Sequence, residues 1–189
     1  MCRTNTFMIK IQVLLNSLFK TMKINDALEL IDASISNPSE GLPEDIFLFI
    51  SRYTPLINVD LLIIDDSNRI LLSWRDDEYC GTGWHVPGGI IRFRETLEHR
   101  ILKVAETEIG TAVKFDATPM AINQIFIKER NTRGHYISLL YRCTVPENFI
   151  PQNAGLKEDA PGYLKWHDVF PENMITVHHI YKPYFKQEI

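Results

Sequence analysis

The run WHVPGGIIRFRETLEHRILKVAETEIG, from Trp84 to Gly110, constrains this chain more than any other stretch, because it joins a strand, a glycine turn and an amphipathic helix rich in glutamate. Pro87 and the Gly88-Gly89 pair permit a sharp turn and a close approach of backbone to a ligand or ion, since glycine has no Cβ to collide. From Thr96 to Ile109 the apolar residues Leu97, Ile101, Val104, Ala105 and Ile109 recur at three- and four-residue steps, which predicts one buried face of a helix. Glu108 borders that face, where a carboxylate is costly unless it is paired or bound to a cation. Glu95 and Lys103 read as an ion pair closing the loop onto its helix, Glu98 and Glu106 as a solvated face, and Gly110 as the helix stop. A hard oxygen ligand such as Glu108 suits Mg²⁺ or Mn²⁺, shared with phosphate oxygens of a substrate.

At 189 residues and 45% hydrophobic content the chain suits one globular domain, residues 43–189, behind a partly helical N-terminal extension, residues 1–42. A net charge of -4 argues against a nucleic-acid surface, whose affinity comes from clustered Lys and Arg. A small anion met in a local cationic pocket is the better expectation. Cys2, Cys80 and Cys143 are scattered and odd in number, so neither a disulfide framework nor a zinc site is indicated, and a cytoplasmic setting fits. The apolar run in residues 1–21 is interrupted by Lys10 and Asn16, lacks a small-residue cleavage site and is too short to span a bilayer. It reads as an added segment, with Met22 as the natural start, or as an amphipathic helix that packs on a partner; no membrane association is expected.

Beyond Met22 the pattern is helix, then strand. Asn25 is placed to cap a helix over Asp26 to Ser36, SNPSEGLP is a turn-rich linker, and a second helix runs from Glu44 to about Arg52. Strands are expected at Ile57–Ile64, Ile70–Trp74 (across a DDSN turn), His85-Val86, Met120–Lys128, His135–Thr144 and Tyr163–His167. A C-terminal helix is expected around Pro171–Tyr184. The fold class is α/β (α+β), a mixed sheet sandwiched between helices.

The frame G-x5-E-x7-K-x4-E-x-G, through Gly89, Glu95, Lys103, Glu108 and Gly110, resembles the Nudix box, G-x5-E-x7-R-E-U-x-E-E-x-G-U with U a bulky apolar residue. It departs by placing Val104 and Thr107 where two metal-binding glutamates usually stand. The flank TPLINVDLLIIDDSNRILLSWRDDEYCGTGWHVPGG is similar to the GDP-mannose mannosyl hydrolase branch of that family, which also lacks the inner glutamates and keeps the last. Similarity continues through HYISLLYRC, the Trp166 strand and TVHHIYKPYF, covering residues from about 45 to 185.

The resemblance implies a Nudix-type fold, a homodimer, a nucleoside diphosphate sugar as substrate, and Mg²⁺ or Mn²⁺ held by Glu108 and the carbonyl of Gly88. Arg75 would contact the diphosphate, to which a guanidinium offers paired donors; a surface arginine at a strand end is the plain alternative. Asp60 and Tyr136 match substrate-binding positions, yet Asp60 reads equally as a satisfied core acid and Tyr136 as a packing residue. Ile90 replaces an arginine, with Arg92 a stand-in two residues on. The relatives' Gln-His pair, a metal ligand and the general base, has no counterpart in LKEDAPGYLKW, which leaves Asp159 or Glu158 as base and Asp159 as an added ligand. His178 and His179 stand behind them as outsiders that read more simply as surface or packing residues, and His85 and His135 also read as structural.

The branch chemistry, displacement of a nucleoside diphosphate from the sugar carbon, would explain the short carboxylate count, since the metal then chiefly neutralises the leaving group and a separate base deprotonates water. Two other readings remain: a pyrophosphohydrolase of another nucleoside diphosphate-linked compound cleaving at phosphorus, and a catalytically weak module that binds a nucleotide metabolite.

Overall fold

The computed structural model describes residues 23–186, so the reading of residues 1–21 lies outside the described residues. Helix α1 (Ile24–Ser34) and helix α2 (Glu44–Ile50) precede the first strand. Helix α1 is capped at Lys23 rather than Asn25, and its Asp26 side chain accepts from the Lys23 backbone N–H. It buries none of its residues, which places α1 at the periphery of the fold.

Strand β1 (Leu56–Ile63) is the centre of the molecule. It pairs in parallel with β7 (His135–Thr144), from Leu56 opposite Tyr136 to Ile63 opposite Cys143, and antiparallel with β4 (Gly88–Ile90) on its other edge. A strand covered on both faces must be apolar almost throughout, and β1 is, except at Asn58 and Asp60. Strands β5 (Lys114–Phe115) and β6 (Ala121–Phe126) both add to β7. A second, antiparallel sheet has the order β3-β2-β8, from Gly81–His85, Ile70–Asp77 and Leu164–His167. The DDSN turn before β2 is held by Asp65, whose Oδ1 accepts from the backbone N–H groups of Ser67 and Arg69.

Strand alternation divides the core in two. Val59, Leu61 and Ile63 face helix α3 (Leu97–Val104) and its Ile101, Val104 and following Ala105. Leu62, Leu72, Val86 and Leu140 face the other way, onto Tyr181 and Phe185 at the C-terminal end. That end is a 3₁₀ helix, Thr176–Tyr184, not the helix expected from Pro171. Thr176, Val177, Ile180 and Pro183 make it poor α-helix material. The expected sandwich of a mixed sheet between helices is thus the observed fold. The two-residue β5, too short for any periodicity, went unforeseen.

Candidate functional site

Helix α3 begins at Thr96, whose hydroxyl accepts from the His99 N–H at 3.1 Å. It does not end as an α-helix: Ala105–Ile109 forms a π turn, closed by the Gly110 N–H donating to the Ala105 carbonyl at 2.9 Å. Gly110 has φ 75°, the left-handed conformation of a helix C-cap. Such wide turns inside helices are frequent at functional sites. Here Ala105 and Ile109 stay in the core while Glu108 is brought to its rim, with 26% of its side chain exposed and Oε2 3.2 Å from His85 Nε2. Thr107 instead turns its hydroxyl back onto the Lys103 carbonyl at 2.8 Å, and Val104 is buried.

The Gly88-Gly89 pair, expected as a sharp turn, instead lies in strand β4, three residues on from His85. A Cβ on Gly88 would lie 2.2 Å from Asp60 Oδ1 and 2.7 Å from the Val59 carbonyl, and one on Gly89 would lie 2.9 Å from Val104 Cγ2, so only glycine fits. Asp60, opposite Gly88 in the β1–β4 ladder, therefore packs directly against it. Its carboxyl accepts from Asn58 Nδ2 at 2.9 Å and from the Ser138 and Tyr181 hydroxyls at 2.5 Å each. Burial pushes it above the ordinary carboxylate range, against those three hydrogen bonds and the nearby His85. Of the two readings of Asp60, a satisfied core acid describes its surroundings.

Arg75 reaches the same place from β2. Ser73, Arg75, His85, Glu108 and Gln152 line one open cleft of about 470 Å³. Asp77 fixes the arginine: its Oδ2 lies 3.2 Å from Arg75 Nε, while its Oδ1 accepts from the N–H groups of Tyr79 and Cys80. Tyr136 is not in this cleft. Its hydroxyl accepts from Arg133 Nε at 3.3 Å, and the Arg133 guanidinium lies 4.1 Å from the Tyr79 ring centroid, so Tyr136 connects to Arg75 through the turn that Asp77 organises.

The expected Glu95–Lys103 pair does not form. Lys103 reaches Glu106 at 2.7 Å, on the surface. Glu95, nearly enclosed, instead accepts from the Arg92 N–H, from His99 Nδ1 and from Arg100 Nε at 2.8–2.9 Å, with Arg100 Nη2 at 2.7 Å. Burial alone would raise its carboxyl; these partners outweigh burial and hold it below its ordinary value. The exchange follows from direction, because the loop folds Glu95 back over the first turn of α3, where Arg100 rather than Lys103 is within reach. Arg92 is exposed, and its guanidinium lies within 4 Å of the point from which a Gly41 side chain would grow, away from the cleft.

Glu158 and Asp159 line a different hollow, with Trp74, Trp84, Lys165, His167 and Asn173, and Glu158 is bound by Lys165. Trp74 is common to both hollows. His178 is buried and accepts from the Val86 N–H at 3.0 Å, and His179 faces the Met174 carbonyl, so neither histidine enters the cleft. Two residues of the cleft were missed. His85, expected to be structural from its place along a strand, bridges the Ser73 carbonyl and Glu108 through its two ring nitrogens. Gln152 carries no pattern that sequence reasoning could have used.

Residues 54–185 match the NUDIX domain family, and the chain belongs to it. The low-salt glycan biosynthesis protein Agl8 of Haloferax volcanii is 28% identical over 137 residues, covering 69% of this chain and 86% of that protein. Among solved structures, a MutT Nudix hydrolase from Burkholderia pseudomallei aligns with a TM-score of 0.56 at 23% identity, covering 70% of this chain and 99% of its own. A UDP-X diphosphatase aligns at 0.50 with 16% identity, covering 93% and 75%. Nudix proteins are hydrolases of small nucleotide derivatives and generally use a divalent ion such as Mg²⁺ or Mn²⁺. Among the described residues no helix is long and apolar enough to cross a membrane.

Proposed function

We propose that the protein is a divalent-metal-dependent hydrolase of a nucleoside diphosphate sugar, GDP-mannose-like, that releases the nucleoside diphosphate and the free sugar. One observation carries this reading: a carboxylate from a π turn, Glu108, and a guanidinium, Arg75, line one cleft together with His85, which leads into a strand that only glycine can begin. The likeness to a protein named for glycan biosynthesis supports a sugar nucleotide as substrate. The donors suit the family's ion. Glu108 presents a partly exposed carboxylate, and Gly88 carries no side chain of its own to cover its carbonyl. Bound there, Mg²⁺ or Mn²⁺ would neutralise charge on the leaving diphosphate.

The protein's own groups would do the rest. Arg75, steadied at Nε by Asp77, offers its two terminal nitrogens to diphosphate oxygens. Tyr136 and Asp60 act behind the substrate surface, through Arg133 and under Gly88 respectively. The sugar end would pass Trp74 into the second hollow, where an aromatic lining with a few polar groups is the chemistry of a small-molecule pocket. Trp74 Nε1 and His167 Nε2 in that lining have no hydrogen-bond partner among the described residues. Asp159, on the wall of the same hollow, is then our choice to take the proton from water, with Glu158 held by Lys165 as the weaker choice. Both line that hollow and not the cleft of Glu108, so Asp159 stands apart from the proposed ligands Glu108 and Gly88. The dimer, on the resemblance, and the cytoplasmic setting, on the scattered cysteines, are part of this proposal.

The test is incubation with a panel of nucleoside diphosphate sugars and Mg²⁺ or Mn²⁺ in ¹⁸O-water, with products resolved. Label in the free sugar is expected. Label in phosphate would replace the reading with hydrolysis at phosphorus, and no turnover of any compound would leave a binding module.

A further inference from the structure

His85 presents its two ring nitrogens to very different neighbours. Nδ1 lies 2.8 Å from the carbonyl oxygen of Ser73, its partner across the β2–β3 ladder. A carbonyl only accepts, so Nδ1 carries the hydrogen, and in the neutral ring Nε2 is left with a bare lone pair. That lone pair faces Glu108 Oε2 at 3.2 Å. Two acceptors in contact at the rim of a core repel unless positive charge lies between them.

The separation fits a metal ion. Two donors 3.2 Å apart, each about 2.1 Å from a common ion, subtend roughly 100° at it, between tetrahedral and octahedral angles. The Nδ1–H to carbonyl bond is also the arrangement that orients a metal-binding imidazole and fixes its tautomer. Both side chains line the cleft that holds Arg75. The other acids of that cleft are engaged: Asp77 with Arg75 and two backbone N–H groups, Asp76 with the Thr82 hydroxyl. No group of three or more His, Cys, Asp or Glu side chains that could hold an ion occurs among the described residues, so a site here has two side-chain donors, completed by backbone, water and substrate oxygens.

We propose that His85 Nε2 and Glu108 Oε2 form a mixed nitrogen and oxygen chelate that takes a transition-metal ion, of the Mn²⁺, Co²⁺ or Zn²⁺ class, in preference to Mg²⁺. The inference rests on Glu108 being a metal ligand. Its physical basis is that affinity for imidazole nitrogen rises along the first-row divalent ions, from modest for Mn²⁺ to strong for Co²⁺ and Zn²⁺, whereas Mg²⁺ favours oxygen and keeps its waters. Among the cleft's side chains, the choice of ion then belongs to the strand residue before the glycine pair rather than to the helix.

The test is metal binding, independent of turnover. Mn²⁺, Co²⁺ and Mg²⁺ affinities are measured by calorimetry on the whole chain, its His85→Phe and His85→Gln variants, and Glu108→Gln. Pulsed electron paramagnetic resonance of the Mn²⁺-loaded wild-type protein reads ¹⁴N coupling, which requires no variant to fold. Imidazole coupling is expected, with a fall of at least about tenfold in Mn²⁺ and Co²⁺ affinity on losing His85, since even outer partners of ligands matter by 10–100-fold. Mg²⁺ affinity should change much less. No ¹⁴N coupling, or equal loss for all three ions in the His85 variants, would overturn the chelate and show an ordinary imidazolium–carboxylate pair, while Glu108→Gln still abolished binding. Undiminished binding in Glu108→Gln would instead remove the ligand reading itself, and this inference with it.

Discussion

Replacing His178 tests how the crossing from β3 to β4 is held. Its ring is 8% exposed, and Nδ1 accepts from the Val86 N–H at 3.0 Å, one residue before Pro87. Val86 is fully buried, so removing the acceptor in His178→Leu orphans an N–H that water cannot reach, a loss of about 1–3 kcal/mol. His178→Asn, which keeps an acceptor near that point, should lose less. The pH dependence sharpens the test. Burial first, then the neighbouring His85 and Arg75, push the imidazole well below its ordinary value of 6.5, as an accepting Nδ1 requires. Below pH 6.5 the unfolded chain therefore binds a proton that the folded chain refuses. Stability from this group is complete above 6.5 and falls as the pH is lowered, by up to about 1.4 kcal/mol per unit. The Leu variant lacks that slope. Urea unfolding of both proteins from pH 8 to pH 5 should show wild type ahead at pH 8 and the gap closing below 6.5. A gap that is constant, or that widens in acid, would refute a neutral buried ring.

Gly88→Ala should destabilise the fold by about 2–3 kcal/mol, read as a lower Tm, because its Cβ would lie 2.2 Å from Asp60 Oδ1 in a packed core; an unchanged Tm would show that its packing on Asp60 is looser than described. Cys143 is buried, and its thiol is pushed up to about 12 by burial and by Asp116. Iodoacetamide at pH 8 should spare it in the folded protein and modify it after denaturation, as mass spectrometry of peptides would show. His167, lowered to about 4 chiefly by burial, should remain neutral to well below pH 6, so titration of its ring by NMR near pH 6.5 would contradict its burial against Trp84.

Much of this was legible in the chain. The apolar run of β1, the DDSN turn and the box helix declare themselves because burial imposes periodicity and turns impose residue types, and Glu108 stood out as a carboxylate beside an apolar face. What escaped reading depended on three dimensions. The π turn has no residue signature, yet it sets the aim of Glu108. Glu95 has basic residues on both sides, and only the path of the loop selects Arg100 over Lys103. His85 lies 23 positions from Glu108, and a period-two pattern places it in the core without showing that one ring nitrogen emerges at the cleft. Glu158 and Asp159 were placed by loop order alone, which could not tell one side of Trp74 from the other.

The central claim is that Glu108 holds the ion on which hydrolysis depends. Its most direct test is the turnover of Glu108→Gln on the nucleotide sugar that the wild type cleaves best, across a series of Mg²⁺ and Mn²⁺ concentrations, with folding checked by circular dichroism. The account predicts a fall of at least about 100-fold that added metal does not restore, beyond the ~10–100-fold typical of a ligand's outer partners. Turnover near that of wild type at the same metal concentrations would contradict it.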